Sequence, residues 1–513
     1  MDPTRVRRNV ERPLPSPAQH ETIDWQGDDD PQNPSNWNLQ KKWLVTLTAC
    51  TGTFLVGLNA TGYTGAGLAI AEHFNIKSDT SFDHSFWPVT AWNAGATIVP
   101  MVLLPVGEAF GIRPVYLTSY LLFTLFVVPQ AVAPNFATMV VCRFIAGSFG
   151  GTLQNIIDSG IADIWRDPRE RDLPVTLFVF ALVFGVTFGP VFGGLIAESL
   201  HWRWYGTLPN SYATSLKPAR IFYIQLIIYG AFSPLVYFFM PETRGPVILT
   251  HRAKALQKKA DNTLVITSSE TPPPISVARI LQAAVIRPAH LLTTEPVIFF
   301  FTLWSAFAFG LVFISTQSIA LVYSTTYGFT EPQTGLVQTS VCVGELIGCL
   351  ACIPQNAYYL RSAGRNRQTP GKPLPEARLL LSVPASVFGL AAGLFWYGWT
   401  SRSSIPWIVP TVGLGFTGFG IMIIIHAVGM YITDSYARYA ASAIAGIAFG
   451  ENLFAAVLPL AAGAMYGRLG FAWASSLLGF VALALSCAPV VLLFKGESIR
   501  SRSKFMKEAS YDG

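Results

Sequence analysis

Charge is what this sequence has least of. Asp, Glu, Lys and Arg make up 12% of its 513 residues, while 51% are hydrophobic. The charged share is about half that of an ordinary soluble domain, a balance that excludes a soluble globular fold and points to a chain solvated by lipid. Cysteine and histidine are also scarce, at 6 and 7 residues. Cys50, Cys142, Cys342, Cys349, Cys352 and Cys487 fall almost wholly in apolar runs, so no extracellular disulfide framework is visible. Cys349 and Cys352 form a CxxC inside such a run. With no His or second CxxC beside it, the pair reads as packing thiols rather than a metal or redox centre, and no metal or other cofactor is expected. No GxxxxGK[ST] occurs, so direct drive by ATP is not expected. The opening RVRRNVERPLPSPAQHETIDWQGDDDPQNPSNW is polar, proline-rich and without an apolar core. It is not a cleavable leader, and residues 1–42 are expected to be a disordered cytosolic tail.

What is present is a series of apolar runs, each long enough to cross a hydrocarbon core of ~30 Å, which takes roughly 20 residues. Twelve are expected, at about 43–66, 86–107, 114–133, 136–160, 174–198, 221–240, 294–323, 334–357, 378–400, 406–432, 438–466 and 471–494. The net charge of +6 gains meaning once the cations are placed. They cluster before run one (Arg5, Arg7, Arg8, Lys41, Lys42) and after runs two (Arg113), four (Arg166, Arg169, Arg171), six (Arg252, Lys254, Lys258, Lys259, Arg279, Arg287), eight (Arg361, Arg365, Arg367, Lys372, Arg378), ten (Arg438) and twelve (Arg500, Arg502, Lys504, Lys507). The intervening loops hold few, which predicts that both termini face the cytosol. Read this way the basic tracts are topology signals, and no nucleic-acid partner is expected.

The hydrophilic stretch over about 241–290 divides the runs six and six, as expected of a transporter built from structural repeats. The expected organisation is an N-terminal six-helix bundle over 43–240, a cytosolic linker over 241–293, a C-terminal bundle over 294–494 and a cytosolic tail over 495–513. Within the linker, ISVARILQAAVIRPAHLL reads either as an amphipathic helix on the inner leaflet or as a solvated connector. One outer loop breaks the charge pattern: HWRWYGTLPNSYATSLKPARIFYIQ carries Lys217 and Arg220. Residues 205–220 are either a lineage-specific loop or a retained intron in the gene, and a transcript encoding all of them excludes the intron.

Several motifs carry chemistry. In GVTFGPVFGG, Gly185, Gly189 and Gly193 recur every four residues, a stripe that lets a neighbouring backbone approach, while Pro190 removes a backbone donor. With Gly194 ending the motif, it resembles the antiporter signature of the major facilitator superfamily. GEAFGIRPVY resembles a loop signature of the same superfamily, with Gly107, Glu108, Gly111 and Arg113 at the matching places and Ile112 where a second basic residue is usual. CRFIAGSFGG resembles its span-four arginine motif. MPETRGPVIL, the PEARL segment at 375–379 and AWASSLLGFVALAL resemble the fungal twelve-span drug:proton antiporter branch. The resemblance covers nearly the whole chain from about Asn33. It implies an all-α polytopic fold of two six-helix bundles, a role for Arg143 in proton coupling, and no enzymatic activity. A lone GxGxxG at Gly413, Gly415 and Gly418 lies within run ten and reads as close helix packing rather than nucleotide binding.

The buried charges fit that picture. A charge near the bilayer centre costs about 2.5 to 3.5 kcal/mol on insertion scales, and each Leu, Ile, Phe or Val returns about 0.3 to 0.6. Arg143 and Asp158 are therefore expected to face the bundle interior. Asp163 falls at the cytosolic interface, as a partner for loop residues such as Arg113. Glu345 and Glu451 are further coupling candidates, because a carboxyl in a low-dielectric cavity can exchange a proton near neutral pH. Asp158 has no role that the resemblance supplies. Gln317 stands where relatives are expected to carry a glutamate, and Glu345 is the acid expected to replace it. His426 is a candidate for binding an anion or relaying a proton. Asn59, Tyr63, Trp92, Asn93, Gln154, Asn155 and Gln225, with Gln317 and His426, are candidates to line a cavity of mixed polarity. The function implied is proton-coupled export of a small, partly apolar organic compound such as a drug, toxin or secondary metabolite, by a monomer in the plasma membrane or, alternatively, the vacuolar membrane. Transport of an organic acid or polar metabolite, with Arg143 and His426 supplying positive charge, is the second reading. A non-transporting membrane sensor is the third.

Overall fold

The structure is a computed structural model, and it describes residues 20–27, 29–76, 84–199, 219–259, 265–268, 277–366, 371 and 373–511. The outer loop singled out above, with Lys217, lies outside the described residues apart from its last two positions. Helices long and apolar enough to cross a membrane dominate. They are α1 (Leu39–Ala66), α2 (His84–Phe110), α3 (Ile112–Ala131), α4 (Phe136–Ile164), α5 (Arg169–Ile196) and α6 (Ile221–Phe239) in the first half. In the second half are α7 (Pro296–Tyr327), α8 (Glu331–Arg365), α9 (Pro375–Thr400) and α10 (Ile408–Tyr436). A last helical run, Ala440–Arg500, spans 61 residues. At 1.5 Å per residue that is about 90 Å, three times the hydrocarbon core. The run folds back at Gly470, where φ is 76° and ψ 166°, backbone angles open to glycine but costly for other residues. It is therefore two spans, α11 over 440–469 and α12 over 471–500, and the total is the expected twelve.

Local chemistry sets several of the ends. The Asn38 and Asn135 side chains accept from the N–H groups of Lys41 and Thr138 at the starts of α1 and α4, satisfying donors that a helix start leaves open. Gly328, with φ 69°, ends α7.

The helix pairings repeat with an offset of six. α1 packs on α5, α2 on α4, and α3 on α4 and α6; likewise α7 packs on α11, α8 on α10, and α9 on α10 and α12. The halves meet along α2·α11 and α5·α8, again equivalent pairs. Glycines carry the closest approaches. A Cβ on Gly185 would stand 2.6 Å from the Phe54 carbonyl oxygen of α1, and one on Gly189 would stand 2.8 Å from the Gly62 nitrogen. The same α5 stripe therefore needs hydrogen in place of a side chain. Gly415 and Gly418 of the GxGxxG face Ser340 and Val341 of α8, and Gly413 faces α9, so that motif is a packing surface. Cys349 and Cys352 are buried free thiols.

Pro190 explains a further contact. Lacking an N–H, it leaves the Val186 carbonyl, four residues earlier, without its helical donor. The Thr61 hydroxyl of α1 donates to that carbonyl at 2.5 Å, so α1 supplies what the proline removes.

Part of the segment expected to be a disordered tail is ordered. His20–Ile23 pairs in parallel with Val265–Ser268 of the linker, the one small sheet among the described residues. Asp30 is buried and bonded to Arg252 at 2.8 Å, on the linker helix Gly245–Lys259. Burial disfavours the Asp30 charge, but the Gln26 and Gln32 N–H groups and the Arg252 guanidinium outweigh it and hold the carboxyl below the usual aspartate range.

Two predictions follow from these contacts. Thr61→Val should cost about 1–3 kcal/mol by leaving the Val186 carbonyl unpaired, read as a lower thermal midpoint in detergent with unchanged helix content. For Asp30, a depressed folded value means that its stabilisation is complete above the ordinary aspartate range and is lost as pH falls through the folded value. A spin label at position 29 should stay immobile from neutral pH down to about pH 4 and loosen below it. In an Asp30→Asn background the label should already be mobile at neutral pH.

Candidate functional site

The polar residues inside the spans gather in four places. The first lies within the N-terminal half. Arg143 of α4 is fully buried, and its guanidinium donates to the carbonyls of Asn59 (2.9 Å), Ala60 (2.5 Å) and Pro88 (3.1 Å). The α-helical pattern of α1 gives way at Gly62, so carbonyls of its last turn are open and carry the negative end of the helix dipole. Arg143 fills that position, with the Tyr63 ring 5.5 Å away. Asn59 continues the chain of contacts: its Nδ2 donates to Gln225 Oε1 at 2.8 Å, and Trp92 Nε1 donates to its Oδ1 at 3.2 Å. The Tyr63 hydroxyl donates to Ser85 O at 3.2 Å. Arg143, Asn59, Tyr63, Trp92 and Gln225 thus form one cluster, and the partners of the arginine are carbonyls rather than an acid.

The second place is the seam between the halves. Thr187 of α5 donates to Glu345 Oε1 of α8 at 2.5 Å. Glu345 is fully buried, and its Oε2 has no hydrogen-bond partner among the described residues. Its neighbour Gly344 lies so close to Gly415 of α10 that no Cβ would fit, which fixes α8 against α10 and turns Glu345 toward α5. Nearer the start of α5, Thr176 Oγ1 donates to Asp172 O at 2.7 Å and lies 2.9 Å from His426 Nε2 of α10. With the hydroxyl hydrogen committed to the carbonyl, His426 donates through Nε2. On α2, Asn93 Nδ2 donates to Val89 O and reaches Ala455 O of α11 at 3.5 Å.

Third, a charge network crosses the halves on the face that carries the linker. Arg378, in the PEARL segment, is 3% exposed. It bonds Asp172 of α5 through Nη1, Asp434 of α10 through Nε at 3.0 Å, and stacks 3.5 Å above the Tyr359 ring. Arg171 reaches Asp434 at 3.1 Å. Two arginines and two aspartates therefore alternate across the seam. Sequence reasoning placed Arg171 and Arg378 as topology cations and passed over Asp172. The available signal was the acid that starts run five together with the PEARL resemblance.

Fourth, the loop motif closes the N-terminal half on the same face. Gly111, with φ 110°, lets the Glu242 carboxylate accept from the N–H groups of Ile112 (3.0 Å) and Arg113 (3.1 Å) at the start of α3. A Cβ on Gly111 would collide with that carboxylate. The expected pairing of Asp163 with Arg113 is corrected: Asp163 bonds Arg244 at 3.3 Å, Glu108 stands 3.9 Å from the same arginine, and Arg113 donates to Tyr237 O at 3.3 Å. Arg244 directly follows the Glu242–Thr243 cap, which carries its side chain to Asp163. Gly107 packs at ordinary distance against Ile156 and Val115.

The remaining candidates are dispersed. Asn155 is half-buried and bonds the Gly151 carbonyl of its own helix. Gln154 and Gln317 are buried in α4 and α7. Asp158 is half-buried, and Glu451 of α11 accepts from the Ser305 hydroxyl of α7. Gly193 abuts Gly62 and Gly65 of α1, while Gly194 and the Pro190 carbonyl face Pro332 and Gly335 at the start of α8, so the end of α5 is gripped from both halves.

Removing Arg378 would strand two buried aspartates. Arg378→Leu should cost about 3–5 kcal/mol, read as a fall in thermal midpoint, and Arg378→Lys should recover only part of it because an ammonium lacks the planar fork.

Comparison with known proteins agrees with this architecture. The Major Facilitator Superfamily profile matches residues 49–436. The MFS transporter cpaT of Aspergillus oryzae is 32% identical over 487 residues, 94% of this chain and 93% of that protein. The MFS-type efflux pump MFS2 of Trichophyton rubrum is 32% identical over 483 residues, 94% of this chain and 76% of that protein. Among solved structures, the proton:xylose symporter XylE bound to 6-bromo-6-deoxy-D-glucose superposes with a TM-score of 0.61 over 89% of this chain and 96% of its own, at 16% identity, a likeness of fold alone. A twelve-span helical chain with two equivalent halves, matched over this length, is a multi-pass membrane transporter and not an enzyme: it belongs to the major facilitator superfamily.

Proposed function

We propose that this chain is a proton-coupled secondary active transporter that exports a small, partly apolar organic compound. The observation that carries the reading is Glu345, a fully buried acid with one oxygen held by Thr187 across the seam and the other unpaired. With a proton, the free oxygen becomes a donor; without one, it is a charge with no ion-pair partner among the described residues. The two protonation states therefore make different demands on α5 and α8, and a group at the contact between two rocking bodies biases their equilibrium when its state changes. The glycine stripe of α5, gripped by α1 on one side and by the start of α8 on the other, is the pivot. The Arg171–Asp434–Arg378–Asp172 network is the latch of the face carrying the linker, and it has to break for that face to open. The export direction is supported by a relative named as an efflux pump.

In this reading both termini are cytosolic, the chain works as a monomer, and it resides in the plasma membrane or the vacuolar membrane. Arg143 acts by holding the ends of α1 and α2 in register beside the Asn59–Gln225 pair. The organic-acid alternative is disfavoured because both residues it relies on are committed: Arg143 is bound by three carbonyls and His426 by Thr176.

Flux in proteoliposomes under an imposed pH gradient is the test. Wild type should accumulate a transported compound against its gradient. Glu345→Gln, which keeps the Thr187 bond, should abolish gradient-driven accumulation while leaving downhill exchange. Unchanged coupling in that variant removes Glu345 from the mechanism, and no movement of any compound by wild type favours the sensor.

A further inference from the structure

One hydroxyl outside the spans holds three elements together. Ser503, in IRSRSKF after α12, donates to the Glu295 carboxylate, with its Oγ 3.0 Å from Oε1 and 2.9 Å from Oε2. The same Oγ accepts from the Met506 N–H at 3.2 Å, so it caps the helix Lys504–Tyr511 and pins its start. Glu295 directly precedes α7 and is 7% exposed. It also accepts, at 3.0 Å, from the hydroxyl of Tyr436, the last residue of α10. Among the described residues Glu295 has no ion-pair partner, and hydroxyl groups hold it.

The rest of that helix is seated beside the latch. Met506 is buried, and the Phe505 ring meets Tyr439 at 5.1 Å and His290 at 6.0 Å, both edge-on. Between Tyr436 and Tyr439 lies Ala437, with φ 33° and ψ −94°, a conformation that is costly for alanine and persists where its surroundings impose it. His290 belongs to the linker helix Val277–Thr294, which packs on α2 of one half and α11 of the other. Asp434 of the latch stands two residues before Tyr436. The helix therefore ties the linker, α7 and α10 together on the face that has to open. Its flanks are basic: Arg502, Lys504 and Lys507 are exposed, and Arg500 stands 3.1 Å from Glu376.

We infer that Ser503 is a phosphorylation site for a serine kinase that selects basic flanks, and that the phosphate releases the helix Lys504–Tyr511 from Glu295. In the transfer, Ser503 Oγ bonds to the γ-phosphorus of a kinase-bound nucleoside triphosphate. The bond from that phosphorus to the β–γ bridging oxygen breaks, the nucleoside diphosphate leaves, and the hydroxyl proton passes to a base of the kinase. The phosphate carries about −1.5 to −2 charge at neutral pH. It takes the place of the hydrogen that Ser503 gave to Glu295, so an attraction becomes a repulsion between like charges. A phosphate at a helix start favours the helix itself, so the segment undocks rather than melts. Loss of this tie lets the linker face open more readily. That consequence rests on the transport reading and on a cytosolic tail, whereas modification and undocking rest on neither.

The test uses the full chain in detergent, the catalytic subunit of the cAMP-dependent kinase with ATP, and a spin label at position 507 with the exposed Cys487 replaced by serine. Mass spectrometry should place a phosphate on Ser503, and the ratio of mobile to immobile label should then rise at least roughly tenfold. Ser503→Asp should free the label without kinase, whereas Ser503→Asn, of the same shape without the charge, should free it less. Glu295→Gln, which keeps an acceptor for Ser503, should leave the label docked and blunt the effect of the phosphate. If that variant does not fold, the Asp against Asn comparison still isolates charge. No phosphate on Ser503, phosphate on Ser501 alone, or a label that stays immobile after Ser503 is modified overturns the inference. Equal release by Asp and Asn overturns it as well. In proteoliposomes, Ser503→Asp should speed downhill exchange at least roughly twofold. Release with unchanged exchange sinks the control of transport and keeps the site, while absence of any flux by wild type sinks the transport reading alone.

Discussion

A polar group in hydrocarbon has no water to turn to, so each must find its partner within the protein. Much of this structure follows from that constraint. Pro190 frees the Val186 carbonyl, and a threonine on the facing helix takes it. The last turn of α1 opens carbonyls, and the arginine of α4 fills them. In each case the satisfying group comes from another helix, so hydrogen bonding in lipid also decides which helices are neighbours. Glycine sets how near they come: the stripe on α5 brings backbones close enough for a short side chain such as Thr61 to reach across.

The same constraint separates charges that are matched within the protein from charges that are not. Arg143, Arg378, Asp172 and Asp434 are satisfied by carbonyls or by one another. Glu345 is half-satisfied, with one oxygen bonded and one open. Asp158 and Glu451 keep carboxylates that no arginine or lysine balances among the described residues. In a medium where an unpaired charge costs several kcal/mol, such deficits are what the proposed transport cycle draws on, with a proton as the mobile partner. Glu345 lies at the α5·α8 contact between the halves.

Legibility in the sequence followed range. The apolar runs, their division into six and six and the α5 glycine stripe are local patterns, and they were readable because lipid imposes a length and a composition on each span. Residue 470 shows the limit: hydropathy separates runs eleven and twelve, but only the backbone shows that the two helices meet at a single positive-φ glycine. The contact that Asp30 makes was not readable, because polarity and proline content do not report a distant arginine, and Arg252 meets Asp30 from 222 residues away. Asp163 was matched with loop residues such as Arg113, whereas the Glu242 cap delivers Arg244 instead.

The sequence by itself determined that this chain spans a membrane twelve times in two halves, with close helix packing at α5 and costly charges turned inward, because hydropathy, glycine spacing and insertion cost act on short stretches of chain. Which charges meet was decided only by tertiary structure. The partners of Arg378 are separated from it by 206 and 56 residues, and the acids left over can be recognised only after every pair has formed. Pairing in a low-dielectric interior depends on distance in space, and that distance is set by how twelve helices pack.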